Sequence, residues 1–272
     1  MNLSHQHLQL LYQAYCKTHF LWMNDRVFKL KQCHLPVASN PQFLRKLDKQ
    51  LRLGQLAEQF VFNQIETSDT AELLAENIQI QKDKQTLGEL DALIRVSHSP
   101  IHLEIVYKFY VYDDTLGSSE LEQWIGPNRK DSLIEKLNKL KEKQLPLLYS
   151  NACKANLEKF GVNTISVEQQ VLFKAQLFVP YQQEVSFNLL DERCVCGFFI
   201  TNTQLKDFRD SQFYIPMKLD WFLEPHHKVD WLSFNDFRSD VNAFLEQQQS
   251  PLFWMKNERQ ELSKCFLVWW QN

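Results

Sequence analysis

Two runs of strict alternation, TLGELDALIRV at 86–96 and IHLEIVYKFYVY at 101–112, constrain this chain more than any other feature. In the first, Gly88, Leu90, Ala92, Ile94 and Val96 share one face, and Glu89, Asp91 and Arg95 share the other. In the second, Ile101, Leu103, Ile105, Tyr107, Phe109 and Val111 stand against His102, Glu104, Val106, Lys108, Tyr110 and Tyr112. A period of two is what strands with one apolar face require. The Ser97-His98-Ser99-Pro100 segment between them has turn composition, so the runs are expected to pair as an antiparallel hairpin. Both apolar faces must point to the core, which leaves two registers. A two-residue turn at 97–98 sets Asp91 directly opposite Glu104; a four-residue turn at 97–100 sets it one pair away, still on the same polar face.

Two carboxylates facing each other across paired strands are about 5 Å apart, and their repulsion grows where solvent is excluded. A bridging cation is expected. Mg²⁺ suits carboxylate oxygens and waters, while Lys108 lies two pleats beyond Glu104 on the same face, about 13 Å along the strand. Glu58 falls on a helical stripe with Val61, Phe62 and Ile65, so its helix is placed to press a third carboxylate toward the sheet. The spacing is equally compatible with an ordinary solvated sheet face carrying cross-strand ion pairs. His102 beside the cluster reads as a surface histidine before it reads as a ligand or proton carrier.

Elsewhere, Leu8, Leu11, Tyr12, Tyr15, Phe20 and Val27 fit a helical segment over 4–30. Asn40 followed by Pro41, with Leu44, Leu47 and Leu51, predicts a second helix from 41 to 66, kinked at Gly54. A strand is expected at 72–81. Asn128 is a cap with Asp131 three residues on, and the stripe Leu133, Leu137, Leu140 predicts a helix that Pro146 ends. A further helical run reaches Phe160 and Gly161, and Val171, Phe173, Ala175, Leu177 and Val179 alternate up to Pro180 as a returning strand. Beyond 181 come short apolar runs near 194–200, 212–216, 252–255 and 265–270, with a helix-like stretch at 234–247. The order gives an α/β plan: an N-terminal helical segment 1–36, a core 37–180 and a C-terminal α+β extension 181–272 packed on the core.

At net charge −3 and pI near 6.3, the chain carries no global basic field, so any nucleic-acid contact must be local. The six cysteines lack the Cys-x-x-Cys spacing of a zinc site and read as buried thiols. There is no basic segment ahead of a long apolar run at the N-terminus and no stretch of ~18 apolar residues, which predicts a cytoplasmic protein without a membrane span.

These motifs together are familiar. A helix bearing Glu58, then Gly88-Glu89-Leu90-Asp91 on one strand and Glu104 and Lys108 on the next, resembles the active-site layout of the PD-(D/E)XK nuclease-like superfamily. More narrowly, GELDALI, then HLEIVYKFYVYD, then WIGPN and a Leu/Lys-rich helix ending QLPLL, is similar to an uncharacterised bacterial family of unknown function within it; the likeness covers roughly residues 50–148. It implies a restriction-endonuclease-like core of helix, three-stranded meander, helices and returning strand. It implies Asp91 and Glu104 as ligands of Mg²⁺ (or Mn²⁺), Lys108 as the lysine that orients water, and Glu58 as the auxiliary acid of the first helix. The superfamily usually carries its lysine two residues after the acid; that position is Val106 here, and the lysine follows at Lys108. The activity implied is Mg²⁺-dependent endonuclease hydrolysis of nucleic-acid phosphodiesters, DNA before RNA. The alternative is a catalytically inactive nuclease-like scaffold that binds nucleic acid or protein. A nucleic-acid partner needs a cationic edge, for which Arg129, Lys136, Lys139 and Lys143 are the candidates, against the plainer reading of a solvated helix with Glu135 and Lys139 paired. Trp124 is the candidate for stacking on a base.

Overall fold

The two alternating runs form β2 (Gln85–Val96) and β3 (Ser99–Tyr112), paired antiparallel in the register with Ala92 opposite Leu103 and Val96 opposite Ser99. This is the two-residue turn. Ser97 and His98 both adopt left-handed backbone, at φ 47° and 72°, the conformation whose twist matches a tight hairpin. The computed structural model describes residues 3–270, a mixed α/β fold. Contacts divide the chain into two compact units, each discontinuous in sequence: residues 1–107, 135–174 and 189–191 in one, residues 108–134, 175–188 and 192–272 in the other.

In the first unit, β1 (Ala71–Lys82) pairs antiparallel with β2 on the edge away from β3. The helix α2 (Leu53–Glu66) buries Leu56, Ala57, Phe60, Val61, Phe62 and Ile65. The helix α4 (Asn151–Leu157) and the turn before it cover the other elements: Leu148, Cys153 and Leu157 join Ile80, Leu90, Leu93, Val162 and Val167 in one buried cluster. The first residues of β5 (Glu168–Pro180) take up the N-terminal segment, whose Leu21 amide donates to the Phe173 carbonyl at 2.9 Å and whose Cys33 amide donates to Val171 at 2.8 Å. The consequence for the site is that β3 is covered on both faces. His102, Glu104 and Val106 are as buried as Leu103 and Ile105, so this stretch of β3 is not a solvated face, whereas Arg95 on β2 does form a part-exposed cross-strand ion pair with Glu72.

In the second unit, β5 continues and pairs parallel with β6 (Val195–Thr201), which pairs parallel with β9 (Leu262–Val268). The strand β8 (Leu252–Lys256) runs antiparallel to β9, and β7 (Gln212–Tyr214) antiparallel to β8. The short β4 (Trp124–Ile125) pairs with the end of β3. The helix α5 (Phe234–Glu246) buries Phe237 and Val241 with Phe213, Phe253 and Leu267.

Three expected helices are corrected. The N-terminal helix α1 spans only His5–Lys17, because Asn24, Phe28 and Lys29 take left-handed backbone that no α-helix accommodates. The helix expected from 41 begins instead at Leu53. Residues 41–52 are an irregular strap on α2: the Asn63 side chain accepts from the Leu44 amide at 2.7 Å and donates to the Gln42 carbonyl at 2.8 Å. Arg45 ties the strap to Glu66 and Glu76 with ion pairs of 2.7 Å each. These bonds satisfy the backbone that a helix would otherwise have satisfied. Asn128 does not cap the next helix. Arg129 is left-handed at φ 55°, the Asn128 carbonyl oxygen of the side chain accepts from Ser250, and α3 starts at Leu133 and ends at Lys139. A wide π turn over Leu140–Gln144 and a tight 3₁₀ turn over Leu145–Tyr149 follow, with Pro146 inside the latter. No helix among the described residues is long and apolar enough to cross a membrane.

Candidate functional site

Beyond the Ala92–Leu103 pair the ladder between β2 and β3 gives way to side chains. The Ile105 amide donates to Asp91 Oδ2 at 2.8 Å, so β3 hands a backbone group to the carboxyl of β2 and holds it beside Glu104.

Glu104, fully shielded from solvent, is held on both oxygens. His102 Nε2 lies 3.0 Å from Oε1, and Gln144 Nε2 donates to Oε2. Burial pushes His102 down to about 4, so the ring is neutral at neutral pH. Its Nδ1 is 3.3 Å from the Gln169 amide nitrogen, a donor, so the proton sits on Nε2 and is donated to Glu104. Gln144 in turn accepts from Lys136 Nζ at 2.8 Å through Oε1. A continuous path therefore runs from the Lys136 ammonium through one amide to the Glu104 carboxylate.

Electrostatics bind Glu58 to the same group. Burial first, and then repulsion from Asp91, Glu89 and Glu104, pushes the Glu58 carboxyl up to about 7, with Lys136 opposing. Asp91 is pushed up to about 7 by burial and by Glu104, against the Ile105 amide, Lys136 and His102. Glu104 reaches about 7 through burial, against Lys136, the bonds to Asp91, and Lys139. Three carboxyls consequently stand near the midpoint of ionisation at neutral pH. The cation common to all three is Lys136.

The expected site residues are therefore distributed as follows. Glu58, Asp91 and Glu104 come together. Lys108 lies in the second unit, where Nζ bonds Asp131 Oδ2 at 2.5 Å and both side chains are more than a third exposed. The usual lysine position, Val106, is buried and apolar. Of the expected cationic edge, Lys136 points to the carboxyls, Lys139 and Lys143 are exposed, and Arg129 pairs with Asp113 at 2.7 Å and covers the Trp270 ring. Trp124 is fully buried between Tyr112 and Phe187, a position for packing and not for presenting a face to a base. His102 is a buried member of the network, not a surface histidine. Sequence reasoning also left out Gln144. A signal for it existed: the apolar stripe Leu133, Leu137, Leu140, Leu145, Leu148 contains one step of five, the mark of a widened turn.

Over residues 7–268 the sequence matches the family described as Domain of unknown function (DUF1853). The chain belongs to that family. No curated protein and no solved structure matches it.

Whether this DUF1853 chain suits a divalent cation is decided by its donors. They are hard oxygens, two of them on adjacent strands, and their midpoints are raised first by burial, a cost of holding negative charge that a bound cation would offset. Among the described residues no three His, Cys, Asp or Glu side chains are grouped to enclose an ion. An ion here would take Asp91 and Glu104 and complete its shell with water or substrate oxygens, which is how Mg²⁺ is commonly held. The residues fit.

Proposed function

We propose that this chain is a divalent-metal-dependent nuclease that hydrolyses nucleic-acid phosphodiester bonds, built on a restriction-endonuclease-like core. The observation that carries the reading is the Asp91–Glu104 pair, Glu104 fully and Asp91 partly buried, each carboxyl pushed up to about 7 first by burial and opposed by Lys136. Mg²⁺ or Mn²⁺ held by the pair supplies a Lewis acid for a phosphate oxygen and lowers the pKa of an attacking water. Asp91 and Glu104 hold the cation. Glu58, with a midpoint near 7, is suited to take or return a proton at the edge of the cluster. Lys136 stabilises charge that develops on the phosphate, the part the resemblance assigned to Lys108. The exposed Lys139 and Lys143 on the same segment offer contacts to the backbone of the nucleic acid.

A second reading, a catalytically silent scaffold, is favoured by one observation: the usual lysine position is the buried Val106. Calorimetric titration of Mg²⁺ and Mn²⁺ separates the two. The nuclease reading expects saturable binding that disappears in Asp91→Ala, followed by metal-dependent cleavage of DNA by the wild type. Absence of binding in the wild type, with and without nucleic acid, would overturn it.

A further inference from the structure

Gln144 comes eight positions after Lys136, which at roughly 100° per position would leave the two side chains about 80° apart on a regular α-helix. The segment is not regular. The π turn over Leu140–Gln144, closed by the Leu145 amide on the Leu140 carbonyl, takes up one extra residue. That removes one residue of rotation and returns Gln144 to within about 20° of Lys136. Only on this shared face can the Gln144 amide accept from Lys136 with Oε1 while donating to Glu104 with Nε2. An amide is the one uncharged side-chain group of this size that offers a donor and an acceptor on neighbouring atoms. A carboxylate there would repel Glu104, and an ammonium would repel Lys136.

We propose that Gln144 is a positioning residue of the site, which sets the rotamer of Glu104 and aims the Lys136 ammonium at the Asp91–Glu104 pair. It acts through those residues and touches no reacting atom. The wide turn is the device that brings it into place, since a regular helix would turn the amide away from Lys136. The remaining support of Glu104 comes from His102, itself held by Gln169, which also donates to the Leu145 carbonyl at the end of the wide turn. The turn and the acid are thereby fastened to one another from two sides. The inference rests on the reading of the site as a divalent-metal centre.

The test is Mg²⁺ titration and DNA cleavage by the full chain, comparing wild type, Asp91→Ala and Gln144→Met. Met is unbranched, helix-compatible and of similar length, and removes both hydrogen bonds. Loss of a group that orients a ligand costs 10- to 100-fold in metal affinity or activity in comparable sites, roughly the effect expected here. Gln144→Met should weaken Mg²⁺ binding by about 10-fold or more. The fall in cleavage should lie in kcat, with KM for DNA unchanged, a split that a merely structural role would not produce. Unchanged Mg²⁺ affinity in Gln144→Met, alongside loss in Asp91→Ala, overturns the inference and leaves the metal site standing. No binding in the wild type overturns both. Should Gln144→Met fail to fold, the wild-type side-chain amide decides by nuclear magnetic resonance. A bridging Gln144 gives two well-separated amide protons with slowed exchange; a free-amide pair overturns the proposal.

Discussion

Glu104→Gln is the substitution in which the physics of the cluster is most directly measured. Glu104 is fully buried, and its carboxyl ionises near 7 in the fold against an ordinary 4.5. The folded state therefore favours the protonated acid. Below about pH 4.5 folded and unfolded chains are both protonated there, and burial of this group carries no charge penalty. As pH rises toward about 7 the unfolded chain loses its proton first, so stability falls, and above about 7 the loss is complete. The difference of about 2.5 units, at about 1.4 kcal/mol each, amounts to ~3 kcal/mol. Gln cannot ionise. The stability of Glu104→Gln relative to wild type should thus climb by ~3 kcal/mol between pH 4.5 and pH 8 in metal-free buffer. A constant offset is also expected, because His102 and Gln144 donate to different oxygens, one of which the substitution turns into an amide nitrogen, and an unmet donor costs about 1–3 kcal/mol. Denaturant unfolding at four pH values with a chelator present separates slope from offset. Parallel stability profiles for the two proteins would refute the argument that a carboxylate held up by burial is ionised there.

The same cluster makes further predictions. Mg²⁺ at about 100 times its Kd should stabilise the wild type at pH 8 by about 2.7 kcal/mol and leave Asp91→Ala unmoved, read as a shift in the unfolding midpoint. Lys136→Met should lower cleavage about 100-fold without weakening Mg²⁺ binding, since it removes a positive neighbour of the ion; Lys108→Met should leave both unchanged and cost no more than about 1 kcal/mol of stability through its half-exposed pair with Asp131. Reversed effects of the two lysine variants would return the catalytic role to Lys108. In the second unit, a Cβ on Gly197 would come within 1.8 Å of the Lys264 carbonyl oxygen, so Gly197→Ala should destabilise by about 3 kcal/mol in thermal unfolding; a neutral result would mean that β6 and β9 do not approach this closely.

What was legible in the sequence follows from how local its cause is. Alternation within twelve residues leaves two registers of β2 on β3, both with Asp91 and Glu104 on one face, and the tight turn at Ser97 and His98 decides between them; the helical stripe of Glu58 with Val61, Phe62 and Ile65 is just as local. The strap over 41–52 has helical leucine spacing, yet Leu44 is 67% exposed: its backbone is satisfied by Asn63, a partner at a distance in sequence that no periodicity reveals. His102 was misjudged for a related reason. Polar residues on one face of a strand suggest water, but Val106 and Tyr110 share that face, and their presence was the sign that something covers it.

The lysine is the instructive case. Reading outward from Glu104 along its own strand leads to Lys108, because parity keeps it on the right face. Yet Lys108 has an acid of its own in Asp131, whereas Lys136 lies on a helix whose face was read by regular rotation as a row with Lys139 and Lys143. One widened turn breaks that regularity. A helix stabilised by tertiary packing can absorb the extra residue at modest cost, and in doing so it changes which polar side chains share a face with the carboxyls. The ammonium that faces the carboxyls in this chain therefore comes from the helix side and reaches Glu104 through the Gln144 amide, not from the strand that carries Glu104.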